Sequence, residues 1–100
     1  MDYINDYLAN NRIPARPHCV PAIYFKRGGR MSIQASEGHY CSPKSDTGPY
    51  SMVEVLVLGR TKAPKSFGKP REKFEDGARL FTFVPVSAVN EEIERRGGIA

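Results

Sequence analysis

The 100-residue sequence has no tryptophan, only two cysteines and no long apolar run. No window approaches the roughly 18 apolar residues of a membrane span, and the N-terminus lacks the basic and apolar regions of a signal peptide. Cys19 and Cys41 could pair in some folds, but two free thiols are expected in a cytoplasmic chain. These absences predict a cytoplasmic protein without membrane spans, and the length predicts one domain over residues 1–100.

The charge is small in total but uneven along the chain. The formal net charge is +4, whereas residues 60–73 alone carry six cations against the single acid Glu72. A surplus of this kind attracts an anionic partner, either nucleic acid or an acidic protein surface. The alternative is a solvated loop that contributes only solubility.

The pattern of apolar residues predicts an α+β fold. Residues 2–11 have helical spacing with Asp2 as N-cap, residues 51–58 and 80–84 are typical of strands, and residues 87–96 form a second helix capped by Ser87. Residues 20–36 predict a hairpin around Gly28-Gly29. We expect a single small domain, a mostly antiparallel sheet of about four strands with an N-terminal and a C-terminal helix, and a long basic loop over 59–79.

Pairing outward from a two-residue turn at Gly28-Gly29 gives the expected hairpin register. Lys26 then lies opposite Met31, Tyr24 opposite Ile33, and Ala22 opposite Ala35. These residues share one face and are expected to supply the apolar surface of the hairpin.

Candidate catalytic and metal-binding residues are few. His18-Cys19 and His39-Tyr40-Cys41 supply four nitrogen or sulfur ligands, but their spacing does not match a zinc site. The sequence leaves open whether these four side chains converge. We therefore expect no metal, no cofactor and no catalytic residues, with Cys41 and His39 as nucleophile and base forming the enzymatic alternative.

The basic residues are the stronger candidates for a binding site. Arg27 and Arg30 lie side by side at the expected hairpin tip, and Phe67 could stack on an unpaired base. The remaining cations could contact phosphates. The predicted binding residues are Arg27, Arg30, Arg60, Lys62, Lys65, Phe67, Lys69, Arg71 and Lys73.

Several short motifs resemble small uncharacterised proteins encoded by bacteriophages and prophages. They are RMSIQAS at 30–36, HYCSP at 39–43, GPY at 48–50 leading into VEV at 53–55, FVPV at 83–86 and RGGI at 96–99. The resemblance covers roughly residues 20–58 and 80–99, and residues 59–79 lie outside it.

The resemblance implies a phage accessory protein in the cytoplasm of a bacterial host, similar in size and origin to anti-CRISPR proteins. The leading hypothesis is therefore an interaction protein that inhibits a host defence complex, such as a CRISPR effector, by blocking a surface. The alternative is a nucleic-acid-binding accessory protein of phage DNA metabolism, and the third hypothesis is a small enzyme using Cys41 and His39. The resemblance carries no catalytic residues, and the sequence does not give the oligomeric state.

Overall fold

The computed structural model describes residues 1–100 and shows two helices and one five-stranded antiparallel sheet. The elements in chain order are α1 (Tyr3–Asn10), β1 (Ile23–Tyr24), β2 (Arg30–Gln34), β3 (Met52–Val57), β4 (Glu72–Lys73), β5 (Arg79–Pro85) and α2 (Val86–Arg95). The strand order across the sheet is β1-β2-β3-β5-β4. The predicted α+β class is confirmed, with five strands rather than about four. Neither helix is long and apolar enough to cross a membrane.

One side of the sheet forms the core. Val53, Val55 and Val57 alternate along the central strand β3 and are fully buried. They belong to the same apolar cluster as Leu8 of α1 and Ile93 of α2, so both helices cover this face. The opposite side, here called the outer face, is covered by no helix and carries half-buried side chains. These are Ser32, Gln34, Glu54, Leu56, Leu80 and Thr82.

The ends of the helices are set by local contacts. The Asp2 side chain accepts a hydrogen bond from the Asn5 backbone N–H, which confirms the predicted N-cap of α1. The second helix begins at Val86 after Pro85, so Ser87 lies inside its first turn and is not its cap. Pro at this boundary favours helix initiation because its φ is already fixed.

The predicted register of the hairpin is wrong. Tyr24 pairs with Arg30 and Ile23 with Met31, so Ile23 and Phe25 are buried while Tyr24 is exposed. The reason is a three-residue loop: the Phe25 N–H donates to the Gly29 carbonyl, and residues 26–28 lie between them. Only the β2 half of the apolar face, with Met31, Ile33 and Ala35 buried, agrees with the prediction.

The predicted loop over 59–79 contains regular structure. Residues 65–67 form a 3₁₀ turn, and β4 pairs with the start of β5 in a short hairpin. Phe67 enters the core and packs edge-on against Phe81, with ring centroids 5.7 Å apart. Burial of this aromatic ring ties the segment to the sheet.

Candidate anion-binding cleft

A cleft of about 670 Å³ lies where three segments meet: the hairpin loop after β1, the loop that follows β3, and the C-terminal end of α2. No aspartate or glutamate is among its lining residues. Its cationic side chains, which define the basic cleft, are Arg27, Arg30, Arg60, Lys62 and Arg96.

The hairpin loop is fixed against the end of α2 by backbone hydrogen bonds. The Lys26 N–H donates to the Gly98 carbonyl at 3.0 Å, and the Arg27 N–H donates to the Arg96 carbonyl at 2.9 Å. Gly97, with φ +81, turns the chain out of α2, and Ile99 then bridges to Phe25. This glycine-rich end of α2, with Ile99 folding back, positions one wall of the cleft.

Thr61 holds the second wall. Its buried hydroxyl oxygen accepts a hydrogen bond from the Arg30 backbone N–H at 2.9 Å. The Arg79 guanidinium donates to the Thr61 carbonyl at 2.6 Å. Because Thr61 is tied to both β2 and β5, its neighbours Arg60 and Lys62 are held beside the hairpin loop.

Arg96 connects all three segments. Its guanidinium donates to Glu92 Oε2 at 2.7 Å, to the Gly28 carbonyl at 3.2 Å and to the Lys62 carbonyl at 2.8 Å. It also lies 5.4 Å from the centre of the Phe25 ring. Arg96 thus serves mainly to shape the cleft. Sequence reasoning missed this role, because only the helical spacing of Glu92 and Arg96 hinted at it.

The other cations of the cleft have no carboxylate partner. Of the 15 lysines and arginines, only Arg95 and Arg96 lie within 4.0 Å of a carboxylate, and both use Glu92. Arg27 donates one hydrogen bond to the Arg95 carbonyl. Like charges held together without counter-ions repel one another, so the cleft favours an anionic ligand.

The structure brings together four of the predicted binding residues and separates the rest. Arg27, Arg30, Arg60 and Lys62 share the basic cleft. Lys65 lies in a different groove beside Glu91 and Glu94 of α2. Lys69 and Lys73 are exposed and line no cavity, and Arg71 lies over the ring of Tyr40.

Phe67 requires a correction. The sequence predicts a ring that stacks on an unpaired base, but the side chain is 6% exposed and belongs to the core. Burying an apolar ring against Phe81 is more favourable than leaving the ring exposed to water. Phe67 is therefore not part of the basic cleft.

The histidines and cysteines do not form a common site. The Ser36 hydroxyl lies 2.6 Å from His39 Nδ1, and the Cys41 thiol donates to the Ser36 carbonyl at 3.1 Å. Burial raises the pKa of Cys41 and lowers the pKa of His39, which favours a neutral thiol and a neutral imidazole. The thiol is buried and is not activated by the imidazole, so the geometry gives the enzymatic alternative no support.

His18 has a separate partner on the surface. Its Nδ1 lies 3.0 Å from Asp46 Oδ1, and Asp46 also accepts the Glu37 backbone N–H. Ligand-type atoms of His18, Glu37 and Asp46 lie within 4.8 Å of one another, and all three residues are exposed. The hydrogen bonds of the loop account for this arrangement.

Comparison with known proteins gives no match: no protein-family model, curated protein or solved structure is similar to this chain. We therefore infer the function from the basic cleft and the surfaces around it.

Proposed function

We propose that this protein is a binding protein that holds nucleic acid through phosphate contacts in the basic cleft. The observation that carries the proposal is a set of four cationic side chains that share one cleft and have no carboxylate partner: Arg27, Arg30, Arg60 and Lys62. Three of these four are arginines, whose planar guanidinium groups match the oxygens of a phosphate.

The density of the charge favours nucleic acid over an acidic protein surface. A nucleic-acid strand carries one negative charge per nucleotide at regular spacing, which can satisfy several clustered cations at once. An acidic protein surface must place several carboxylates at matching positions. Tyr24 and Arg30 also extend the cleft onto β1 and β2, at one end of the outer face.

The inhibition of a host defence complex, such as a CRISPR effector in the cytoplasm of a bacterial host, stays a prediction, because no relative of the chain was found to support it. In that alternative the same cations contact an acidic protein surface. The experiment below therefore includes an acidic polypeptide.

The test is a salt titration of binding to fluorescently labelled oligonucleotides, with polyglutamate as a second probe. The variant Arg30→Gln/Arg60→Gln removes two cations of the cleft. The matched control Arg16→Gln/Lys69→Gln removes the same charge at exposed positions outside the cleft. With a single-stranded probe, we expect the cleft variant to reduce the slope of log K against log salt by about 1.4, which corresponds to two phosphate contacts.

Three results would contradict the proposal. One is no oligonucleotide binding at low salt, and another is an equal loss of slope in the control variant. The third is tighter binding of polyglutamate than of the oligonucleotides, which would favour an acidic protein partner.

A further inference from the structure

A second cationic surface lies at the other end of the outer face and contains two exposed aromatic rings. Tyr40 is 38% exposed and Phe83 is 46% exposed. Their ring centroids are 6.1 Å apart with an interplanar angle of 61°. The Arg71 guanidinium lies 4.8 Å and the Lys44 ammonium 5.5 Å from the centre of the Tyr40 ring. Tyr40, Lys44, Arg71 and Phe83 are called the aromatic patch below.

The backbone holds Phe83 outward at a cost. Its φ is +52°, and it is the only residue other than glycine with a positive φ. It occupies an irregularity in the pairing of β3 with β5, and its N–H donates to the Tyr40 carbonyl at 3.1 Å. A left-handed conformation is unfavourable for an aromatic residue, and conformations of this kind cluster at binding and catalytic sites.

The aromatic patch and the basic cleft are joined by the outer face. Along β2, the distance from Arg30 at the cleft to Gln34 near the patch is about 13 Å, since each strand residue advances about 3.3 Å. The face between them presents Ser32, Leu56 and Leu80, which are neutral.

The acids of the outer face are Glu54 and Glu72. The Glu54 carboxylate on β3 accepts a hydrogen bond from the backbone N–H of Tyr40 at 3.0 Å, so it holds Tyr40 in place beside the sheet. Glu72 lies on the edge strand β4, opposite Leu80. Neither approaches Arg71 or Lys44 closely enough to form an ion pair.

We propose that the aromatic patch stacks unpaired bases, so that the protein selects single-stranded over double-stranded nucleic acid. This rests on the proposed function. The nucleic-acid strand places phosphates in the basic cleft, crosses the outer face of the sheet, and presents one or two bases to Tyr40 and Phe83. Arg71 and Lys44, which lie over the Tyr40 ring in the free protein, move aside and face the phosphates next to the stacked bases. A duplex keeps its bases stacked on one another and offers the rings no free face.

The chain contains no tryptophan, so Phe83→Trp introduces a single tryptophan into the patch as a fluorescent reporter. We expect its emission to be quenched by a single strand of about a dozen thymidines, which is within the range of lengths that compact single-strand-binding domains cover. A duplex of the same length and polyglutamate should leave the emission unchanged.

Affinity measurements on variants of the unlabelled protein test the same contact. Phe83→Gly removes the ring and suits the positive φ, so the fold should be retained while single-strand affinity falls about tenfold. Tyr40→Leu should show a similar loss, and Tyr40→Phe should bind as the wild type because the ring remains. Duplex affinity should be the same for all of them.

The outcomes separate this inference from the proposed function. Quenching by the single strand, with ring-dependent affinity, supports it. If Arg30→Gln/Arg60→Gln weakens binding while Phe83→Gly and Tyr40→Leu bind as the wild type, the patch is excluded and the basic cleft stands. If the ring variants lose affinity and the cleft variant does not, the patch stands and the basic cleft is wrong.

Equal affinity for single strand and duplex, or quenching by polyglutamate, overturns the inference, and no binding at all overturns both proposals.

Discussion

At the scale of single residues, one buried carboxylate fixes the shape of the basic cleft. Glu92 is 4% exposed and accepts a hydrogen bond from the Arg96 guanidinium. The same guanidinium also donates to the hairpin loop and to the loop after β3. Replacing Glu92 with glutamine removes the negative charge and leaves Arg96 and Arg95 without a counter-ion. We expect Glu92→Gln to lower the free energy of unfolding by about 2 kcal/mol, measured by urea denaturation.

The neighbouring Glu91 provides the control. It lies on the same helix, is exposed and forms no ion pair, so Glu91→Gln should change the stability by less than about 0.5 kcal/mol. If both variants lose the same stability, the effect belongs to the charge of α2 as a whole, and Glu92 has no special role in the cleft.

The residues of the site differ in how far the sequence could predict them. Arg60 and Lys62 stand out because a run of cations is visible in the sequence, and Arg27 and Arg30 because they flank a glycine pair. Arg96 could not be predicted as a cleft residue, because its partners Gly28 and Lys62 are distant in the chain. Phe67 was misplaced because a short sequence does not show which aromatic residue finds a core partner.

At the scale of elements, local signals predicted the helices and central strands, while pairing depended on loop geometry. Alternating valines identify β3, and the acids, arginines and glycines around α2 identify that helix. The predicted hairpin register was wrong because it placed both glycines in a two-residue turn, whereas the three-residue loop over 26–28 contains only Gly28. β4 was missed because a two-residue strand has no periodicity and depends on its pairing with β5.

The adjacent glycines at the end of the hairpin loop permit a matched test of how the loop meets α2. Gly28 and Gly29 have φ +96 and +94, so alanine is strained at both positions. A Cβ at Gly29 would lie 2.5 Å from Arg96 Nη1 and 3.1 Å from Thr61 Cγ2, whereas one at Gly28 meets nothing within 4 Å. We expect Gly28→Ala to cost about 1 kcal/mol and Gly29→Ala about 1 kcal/mol more, because Arg96 must leave the Gly28 carbonyl.

The measurement is thermal or urea unfolding of both variants, with oligonucleotide affinity as a second readout. Only Gly29→Ala should weaken binding, since it displaces a side chain that shapes the cleft. Equal costs and equal affinities for the two variants would show that the close approach of the hairpin loop to Arg96 has no consequence.

At the scale of the whole molecule, folding changes where the positive charge is concentrated. The sequence places the surplus in residues 60–73, but the structure divides that segment among the basic cleft, the groove beside α2 and the aromatic patch. It then adds Arg27, Arg30 and Arg96 to the cleft from distant parts of the chain. The local density of cations is therefore a property of the fold, which a sum along the chain cannot show.

This distribution predicts that salt stabilises the protein. The molecule measures 29 × 27 × 25 Å, which is within the Debye length of about 30 Å at 0.01 M salt, so every pair of its cations repels at that ionic strength. Near 0.15 M the Debye length is about 8 Å, and most of this repulsion is screened. Only two of 15 cationic side chains have a carboxylate partner to lose.

Raising potassium chloride between these concentrations should therefore increase the free energy of unfolding by about 0.5 kcal/mol. Arg30→Gln/Arg60→Gln should lose more of this increase than Arg16→Gln/Lys69→Gln, because the basic cleft gathers several cations with no carboxylate in its lining. A stability that falls with salt would mean that attractive surface pairs outweigh the repulsion within the basic cleft.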